Sequence, residues 1–191
     1  MTYSGSNLIP RLIELYRQMD DAYVGASSQA GFSCDGCDGI KCCTVDLTVH
    51  TFAEMLYLRR GFSDLDEDLR LVIKQRLGEI LKAKSEDSFG ESYRNAVCAL
   101  NFDGKCILYD HRPMICRLAG IPHVINRPNS TQIRSVGCSR FENDIKPNFP
   151  DVCVDRTMFY REMAQLELSV IQELGRRTQR LTVAEILGGR L

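Results

Sequence analysis

The sequence predicts a mainly α-helical fold with one small β-hairpin, in which helices pack around a cysteine-rich, metal-binding loop region. Three observations predict this class. Apolar residues recur at spacings of three and four over several long stretches, which is typical of amphipathic helices. A short apolar segment is interrupted by Asp103-Gly104, a strong hairpin-turn signal. Residues 25–43 are rich in Gly, Ser, Asp and Cys and have almost no apolar periodicity, so core packing alone cannot order them.

The length of 191 residues predicts a single domain, 1–191. Within it we expect a cysteine-cluster metal-binding region at 34–138 and helical flanks at 1–30 and 150–191. Hydrophobic residues make up 44% of the chain and charged residues 26%, both close to globular averages, which argues against disorder.

The helices follow from the apolar stripes in the sequence. The strongest stripe runs from Leu65 to Leu81, and Ser63 with a following acidic residue supplies a helix-start signature. Thr48 or Thr51 is a candidate cap for the helix before it. Helices are predicted over 7–24, 51–59, 64–84, 113–118 and 151–174, with a final turn or two at 182–187 and an irregular segment at 121–150.

The predicted hairpin, residues 97–109, carries two cysteines, and its register decides how they face. A two-residue turn would point Cys98 and Cys106 to opposite faces of the strands. A three-residue loop with Gly104 in the left-handed bulge position would put both on one face. We favour the three-residue loop.

The charge balance, and the search for signal-peptide and membrane-span patterns, restrict the cellular compartment and the partners that we expect. Lys and Arg total 24 and Asp and Glu total 25, a balance that argues against a strong nucleic-acid footprint. The stretch 1–10 lacks the cationic start and apolar core of a secretory signal, and no run approaches the roughly 18 apolar residues of a membrane span. We therefore expect a soluble, cytoplasmic protein without a membrane partner.

Nine cysteines are the exceptional feature of the composition. In a reducing cytosol, clustered cysteines indicate metal or catalysis more often than disulfides, and an odd number leaves one over in any all-disulfide scheme. Cys153 is expected to pack beside the apolar stripe of the last long helix. The eight candidate metal ligands, of which the first four read C-x2-C-x4-C-C, are Cys34, Cys37, Cys42, Cys43, Cys98, Cys106, Cys116 and Cys138.

Two arginines are candidates for contact with the bound group. Cys116 occupies the fourth position of the helix that Pro113 starts, where unsatisfied N–H groups favour a thiolate. Four thiolates around a 2+ ion, or around a four-iron cluster with a 2+ core, leave a charge of about −2. Arg112 and Arg117 flank Cys116 and could offset that charge; the alternative is that both are ordinary surface charges.

These residues resemble the zinc- or iron-chelating cysteine-cluster family, which is named for a CxxCxxCC motif. The likeness lies in Cys98-Ala99-Leu100, in Gly104-Lys105-Cys106 and in the stretch from Tyr109 to Arg117, and Cys138 resembles the family's last cysteine. It covers about 34–138 and implies an iron–sulfur cluster or zinc as cofactor. This chain departs from the motif by an insertion at 38–41, which leaves open how Cys42 and Cys43 divide between sites.

Three functions are weighed from the sequence. The first is a metal-binding protein whose thiolates hold an iron–sulfur cluster or zinc, with a structural or redox role. The second is a metal-dependent enzyme for oxidation or group transfer, with His50, His111 or His123 as a ligand or acid–base group. The third is an interaction module organised by metal, in which the basic segment Gly175–Arg180 touches nucleic acid or an acidic partner.

Overall fold

The computed structural model describes residues 7–34, 43–44, 49–86, 93, 95–129, 131–175 and 179–189. The fold is mainly helical, as the sequence predicts, and it contains a three-stranded sheet in addition to the expected hairpin. The stretch 25–43, expected to be a loop without core contacts, differs from that expectation over its first residues: the first helix continues through Gln29, and Ala30 and Phe32 are buried in an apolar cluster. The part at 35–42 lies outside the described residues. Among those described, no helix combines the length and the apolar character needed to cross a bilayer.

Six helices and five strands are used below. The helices are α1 (Leu8–Gln29), α2 (Phe52–Ser63), α3 (Glu67–Glu86), α4 (Met114–Arg117), α5 (Thr157–Leu174) and α6 (Val183–Gly188). The strands are β1 (Asn101–Phe102), β2 (Lys105–Cys106), β3 (His123–Asn126), β4 (Gln132–Ser135) and β5 (Val154–Asp155). A 3-10 turn covers Tyr109–His111 and a π-helical turn covers Phe141–Ile145.

The chain forms two compact units, each built from two separate stretches of sequence. Unit 1 comprises Met1–Gly36 and Met114–Gly175, and unit 2 comprises Cys37–Pro113 and Arg176–Leu191. Each unit has its own cluster of buried apolar side chains. The two are described separately below.

In unit 2, α2 and α3 pack on α6 around a core that includes Leu58, Ile73 and Ile186, all fully buried. Both α2 and α6 begin at a threonine that forms a capping box with a glutamate three residues on: Thr51 with Glu54, and Thr182 with Glu185. The two helix starts are joined, because His50 and Leu181 form an antiparallel bridge whose N–H to carbonyl distance is 2.9 Å.

The start of α3 differs from the prediction. Ser63 does not cap α3 but ends α2, where its hydroxyl donates to the carbonyl of Arg59. The chain then turns through Asp64, and α3 begins at Glu67. The apolar stripe itself was predicted correctly, since Ile73, Leu77 and Ile80 are buried.

In unit 1, α1 packs against α5 and also contacts α4 and β5. Segment 121–150, predicted to be irregular, contains β3 and β4, which pair antiparallel, and β3 also pairs parallel with β5 in the order β4-β3-β5. The last long helix starts at Thr157 rather than at 151, because Val154 and Asp155 are used in strand pairing.

Candidate metal centre

In unit 2, Cys43 and Cys106 lie within electrostatic range of Cys98, although the three do not form a group with the geometry of a metal site. The backbone N–H of Cys98 donates to the carbonyl of Cys43 at 2.5 Å, next to the isolated bridge between Thr44 and Val97. Negative charge on Cys106 or on Cys43 would raise the pKa of the Cys98 thiol, and all three residues are partly buried. The fold thus brings together cysteines that are more than fifty residues apart in the sequence.

The hairpin register differs from the one favoured above. Asn101 pairs with Cys106 and Phe102 with Lys105, so the loop has two residues, Asp103 and Gly104, with φ of 50° and 81°. Positive φ at both positions is the requirement of a type I′ turn. The prediction of a three-residue loop was therefore wrong.

Cys98 nevertheless lies near Cys106, because it does not belong to the strand. The chain turns at Ala99-Leu100, where the N–H of Asn101 donates to the carbonyl of Cys98 at 2.9 Å. The prediction of how Cys98 faces assumed that side chains alternate between the two faces of a strand. Because Cys98 lies outside the strand, that alternation does not extend to it.

The surroundings of the Cys98 thiol are apolar, with one oriented donor. The pKa of this thiol is raised to about 12, chiefly by burial; the backbone N–H of Leu100, which donates to the sulfur, lowers the pKa, and the neighbouring Cys106 and Cys43 raise it. A free thiol here stays protonated at neutral pH. A thiophilic metal ion displaces such a proton, because coordination deprotonates a thiol outright.

In unit 1, Cys34 and Cys138 both lie next to Gly120. The backbone N–H of Cys138 donates to the Gly120 carbonyl at 2.9 Å. A Cβ added to Gly120 would lie 3.9 Å from the sulfur of Cys34 and 3.2 Å from two ring atoms of Phe32. Gly120 has a φ of +98°, so both the close approach and the backbone conformation call for glycine.

Both of these sulfurs have a polar neighbour. The hydroxyl of Tyr23 lies 3.2 Å from Sγ of Cys34, and the backbone N–H of Phe141 donates to Sγ of Cys138 at 3.4 Å. The two segments are also tied to each other. Phe32 and Phe141 stack edge to face at 5.3 Å, and Arg140 donates to the carbonyl of Ser33 at 2.8 Å.

Cys116 is the third residue of α4, which starts at Met114 and not at Pro113. The arginine after it, Arg117, is buried with 4% of its surface exposed. It donates to Asp20 at 2.5 Å and lies over the Tyr16 ring at 4.0 Å. It is therefore not an ordinary surface charge.

Arg112 belongs to unit 2. Its guanidinium lies over the Tyr109 ring at 3.4 Å and donates to the Tyr109 carbonyl at 2.9 Å. A role of Arg112 and Arg117 beside a bound metal stays a prediction.

The remaining cysteines are two predicted ligands, Cys37 and Cys42, and Cys153, which was not predicted to bind metal. Cys37 and Cys42 lie outside the described residues. Cys153, expected to pack beside the last long helix, is instead exposed, because that helix begins four residues later and Cys153 directly precedes β5. Within the described ranges, no group of three or more His, Cys, Asp or Glu side chains meets the geometry of a metal site.

The three histidines lie in packed surroundings. His111 stacks on Tyr57 at 4.5 Å between ring centroids and fills the space next to Gly61, where an added Cβ would lie 2.4 Å from the imidazole. Burial lowers the pKa of His50, while the charge of Glu54 raises it. Burial and the charge of Arg156 lower the pKa of His123 to about 4, and a hydrogen bond to the Ile121 backbone opposes that shift.

The histidine shifts predict a pH dependence of stability. His50 and His123 bind protons less readily in the folded than in the unfolded chain, so their contribution is complete above about pH 6.5 and is lost as the pH falls toward 4. We expect His123 to account for about 1–2 kcal/mol of this loss, roughly half the value of the full shift, since its imidazole is half-exposed. Urea unfolding of the reduced protein between pH 7 and 4.5 measures it.

The matched variants are His123→Gln and His50→Gln, each compared with the wild type over the same range. Each is expected to flatten the decline in the free energy of unfolding. A decline of unchanged steepness in both variants would contradict the assignment.

Sequence reasoning missed three residues that shape unit 1: Gly120, Gly137 and Arg156. Gly137 has a φ of +86°, and an added Cβ would lie 2.4 Å from the Gly120 carbonyl oxygen. Its position directly before Cys138 is a signal that could have found it. Arg156 offers no such signal, because nothing in its sequence neighbourhood distinguishes a buried arginine from an exposed one.

A groove of about 490 Å³ in unit 2 opens beside Cys98. Its wall is mostly apolar and includes Ile80, Ala96 and Val97, with Arg76 and Glu79 as its charged residues. Arg76 is held in place, since it donates to the Asn101 carbonyl at 2.8 Å and lies over the Phe102 ring.

Comparison with known proteins adds no assignment. No protein-family model, no curated protein and no solved structure matches this chain. The resemblance to a cysteine-cluster family therefore remains an expectation that rests on the sequence motifs. The cysteines and their surroundings are therefore the basis for any functional assignment.

Proposed function

We propose that this chain is a metal-binding protein of the cysteine-cluster type, whose thiolates hold an iron–sulfur cluster or zinc in a structural or redox role. The observation that supports the proposal is the placement of Cys43, Cys98 and Cys106 in one neighbourhood of unit 2, where Cys43 and Cys98 share a backbone hydrogen bond. Thiolate sulfur is the donor preferred by zinc and by iron–sulfur clusters. The bound group would supply either fixed crosslinking of the chain or one-electron chemistry.

The local chemistry of the cysteines supports thiolate ligation. Backbone N–H groups of Leu100 and Phe141 donate to the sulfurs of Cys98 and Cys138, and such donors stabilise thiolates and set their properties. Thr44, directly after Cys43, bridges to Val97, directly before Cys98, so the chain that carries the ligands is held by main-chain contacts. A metal would then close a long sequence loop.

The identity of the metal is tested on protein purified without exposure to air. A cluster predicts a brown protein with iron and sulfide in equal amounts and a broad visible absorption that reduction bleaches. Zinc predicts a colourless protein with one or two equivalents of zinc. Protein that holds neither metal and binds neither when supplied with them would refute the proposal.

Replacement of Cys98 by serine is expected to weaken metal binding by more than the roughly 10–100-fold that loss of an outer-shell partner costs. Cys153→Ser is the matched control, since Cys153 is exposed and outside the predicted ligand set, and it should retain wild-type metal content. Metal analysis after equilibrium dialysis measures both variants.

A thermal melt separates metal loss from simple destabilisation. Stripping the metal should lower the melting temperature of the wild type and of Cys153→Ser, but change that of Cys98→Ser little, because only bound metal stabilises the fold by mass action. Equal metal retention in both variants would remove Cys98 from the ligand set.

A second candidate function is a metal-dependent enzyme, and the groove beside Cys98 favours it. A largely apolar groove with two charged residues, Arg76 and Glu79, is suited to a small substrate that combines an apolar body with a polar group. Finding three thiolates on the metal and an exchangeable fourth ligand, by X-ray absorption of the loaded protein, would support this function. A closed site of four thiolates would contradict it.

A further inference from the structure

The buried guanidinium of Arg156 is an unusual feature of unit 1. Only 4% of the residue is exposed, and burial lowers its pKa to about 10, so it stays charged at neutral pH. It donates from one nitrogen to the carbonyls of Leu118 and Ile121. Its Nε has no hydrogen-bond partner and the guanidinium has no carboxylate partner among the described residues. Burying a cation is costly unless its contacts offset the lost hydration.

The carbonyls that Arg156 contacts belong to the segment between α4 and β3. That segment, 118–121, also contains Gly120, which contacts the neighbourhood of Cys34 and accepts the N–H of Cys138. Gly137 packs against the same segment so closely that a Cβ on it would lie 2.4 Å from the Gly120 carbonyl oxygen. One short stretch of backbone is thus shared by the two cysteines and by Arg156.

We propose that Arg156 is a positioning residue that fixes segment 118–121, so that the thiols of Cys34 and Cys138 are presented together to one thiophilic metal ion. Leu118 follows the last residue of α4, and helix-end carbonyls need donors from outside the helix. Arg156 supplies them for Leu118 and for Ile121 from the fixed start of α5. The presentation of the thiols is a property of the chain itself, whereas the metal rests on the proposed function above.

The first experiment uses Co²⁺ as the probe with the full-length chain, reduced and stripped of metal. Arg156→Met removes the donors and the charge, and Arg156→Lys keeps both in part. Arg134→Met is the matched control on an exposed arginine of β4. We expect Arg156→Met to weaken Co²⁺ affinity about tenfold, measured from thiolate-to-cobalt charge-transfer absorption, and the other two variants to stay within about threefold of the wild type. Equal affinity in Arg156→Met and Arg134→Met would overturn the proposal.

The second experiment needs no metal. Diamide takes two electrons and two protons from a pair of neighbouring thiols, which become a disulfide while diamide is reduced to its hydrazine. We expect the wild type to form a Cys34–Cys138 disulfide, mapped by mass spectrometry, and Arg156→Met to form it about tenfold more slowly, while alkylation of Cys98 and Cys106 is unchanged. Faster alkylation of all cysteines, or an unchanged disulfide rate, would overturn the proposal.

The two experiments distinguish a failure of the proposed metal-binding function from a failure of the role proposed for Arg156. If the wild type binds no Co²⁺ but shows the Arg156-dependent disulfide, the proposed function fails and the role of Arg156 stands. If Arg156→Met does not fold, Gly120→Ala tests the same segment, because its Cβ meets the Phe32 ring at a φ of +98°. We expect it to slow the disulfide as well, and an unchanged rate would overturn the proposal.

Discussion

Replacing Gly137 by alanine is expected to destabilise the protein by about 3–5 kcal/mol, which corresponds to a fall in melting temperature of about 6 °C or more. The new Cβ would lie 2.4 Å from the Gly120 carbonyl oxygen and 3.0 Å from the backbone nitrogen of Pro122. Neither is the end of a flexible side chain, so backbone has to move. A φ of +86° adds about 1 kcal/mol or more of strain for a residue with a side chain.

The matched control is Gly175→Ala. Gly175 also has a positive φ, +64°, but nothing lies within 4 Å of the position of its Cβ. That variant measures backbone strain alone and should cost about 1 kcal/mol. Denaturant unfolding of both metal-free variants gives the comparison, and equal costs would show that the close approach of Gly137 to Gly120 is not rigid.

Removing the carboxylate charge of Asp20 is the prediction with the next largest effect. Asp20→Asn is expected to cost about 2 kcal/mol, because it withdraws the charge that Arg117, 4% exposed, contacts at 2.5 Å. The cost is below that of a fully buried pair, since 43% of the Asp20 side chain is exposed. Chemical unfolding at low and moderate salt measures it, and the loss should be largely independent of ionic strength.

Glu14→Gln on the same helix is the control for this prediction. Glu14 pairs with Arg17 at 2.7 Å, but more than half of each side chain is exposed. Exposed pairs contribute little and are screened by salt, so we expect no measurable change in the free energy of unfolding. An Asp20→Asn variant as stable as Glu14→Gln would show that Arg117 does not depend on its carboxylate.

The sequence predicted the long helices well because their signal is local. The stripes of α1, α3 and α5 repeat over 18 residues or more, and periodicity of that length outweighs single unfavourable residues. Strands β3 and β4 were missed because each is only four residues long and five of their eight residues are polar. Their pairing partners, and not their composition, make them strands.

The sequence nominates the cysteines of the candidate site as ligands, a prediction that stays untested, and it does not predict how the fold arranges them. The spacing of the cysteines indicated ligands, whereas the nearness of Cys98 to Cys106 depends on a turn at Ala99-Leu100 that no residue signals strongly. Buried arginines escape sequence reasoning for a similar reason. Arg117 is buried with its charge paired to Asp20, which lies 97 residues away in the sequence.

The discontinuous make-up of unit 2 has a consequence for the order in which the protein assembles. Its core includes Ala184, Ile186 and Leu187 of α6, which pack with residues of α2 and α3 that are synthesised more than a hundred positions earlier. A nascent chain therefore carries α2 and α3 with an uncovered apolar face until α6 has emerged. During that interval the thiols of Cys98 and Cys106, which pack against the same core, are accessible to oxidants.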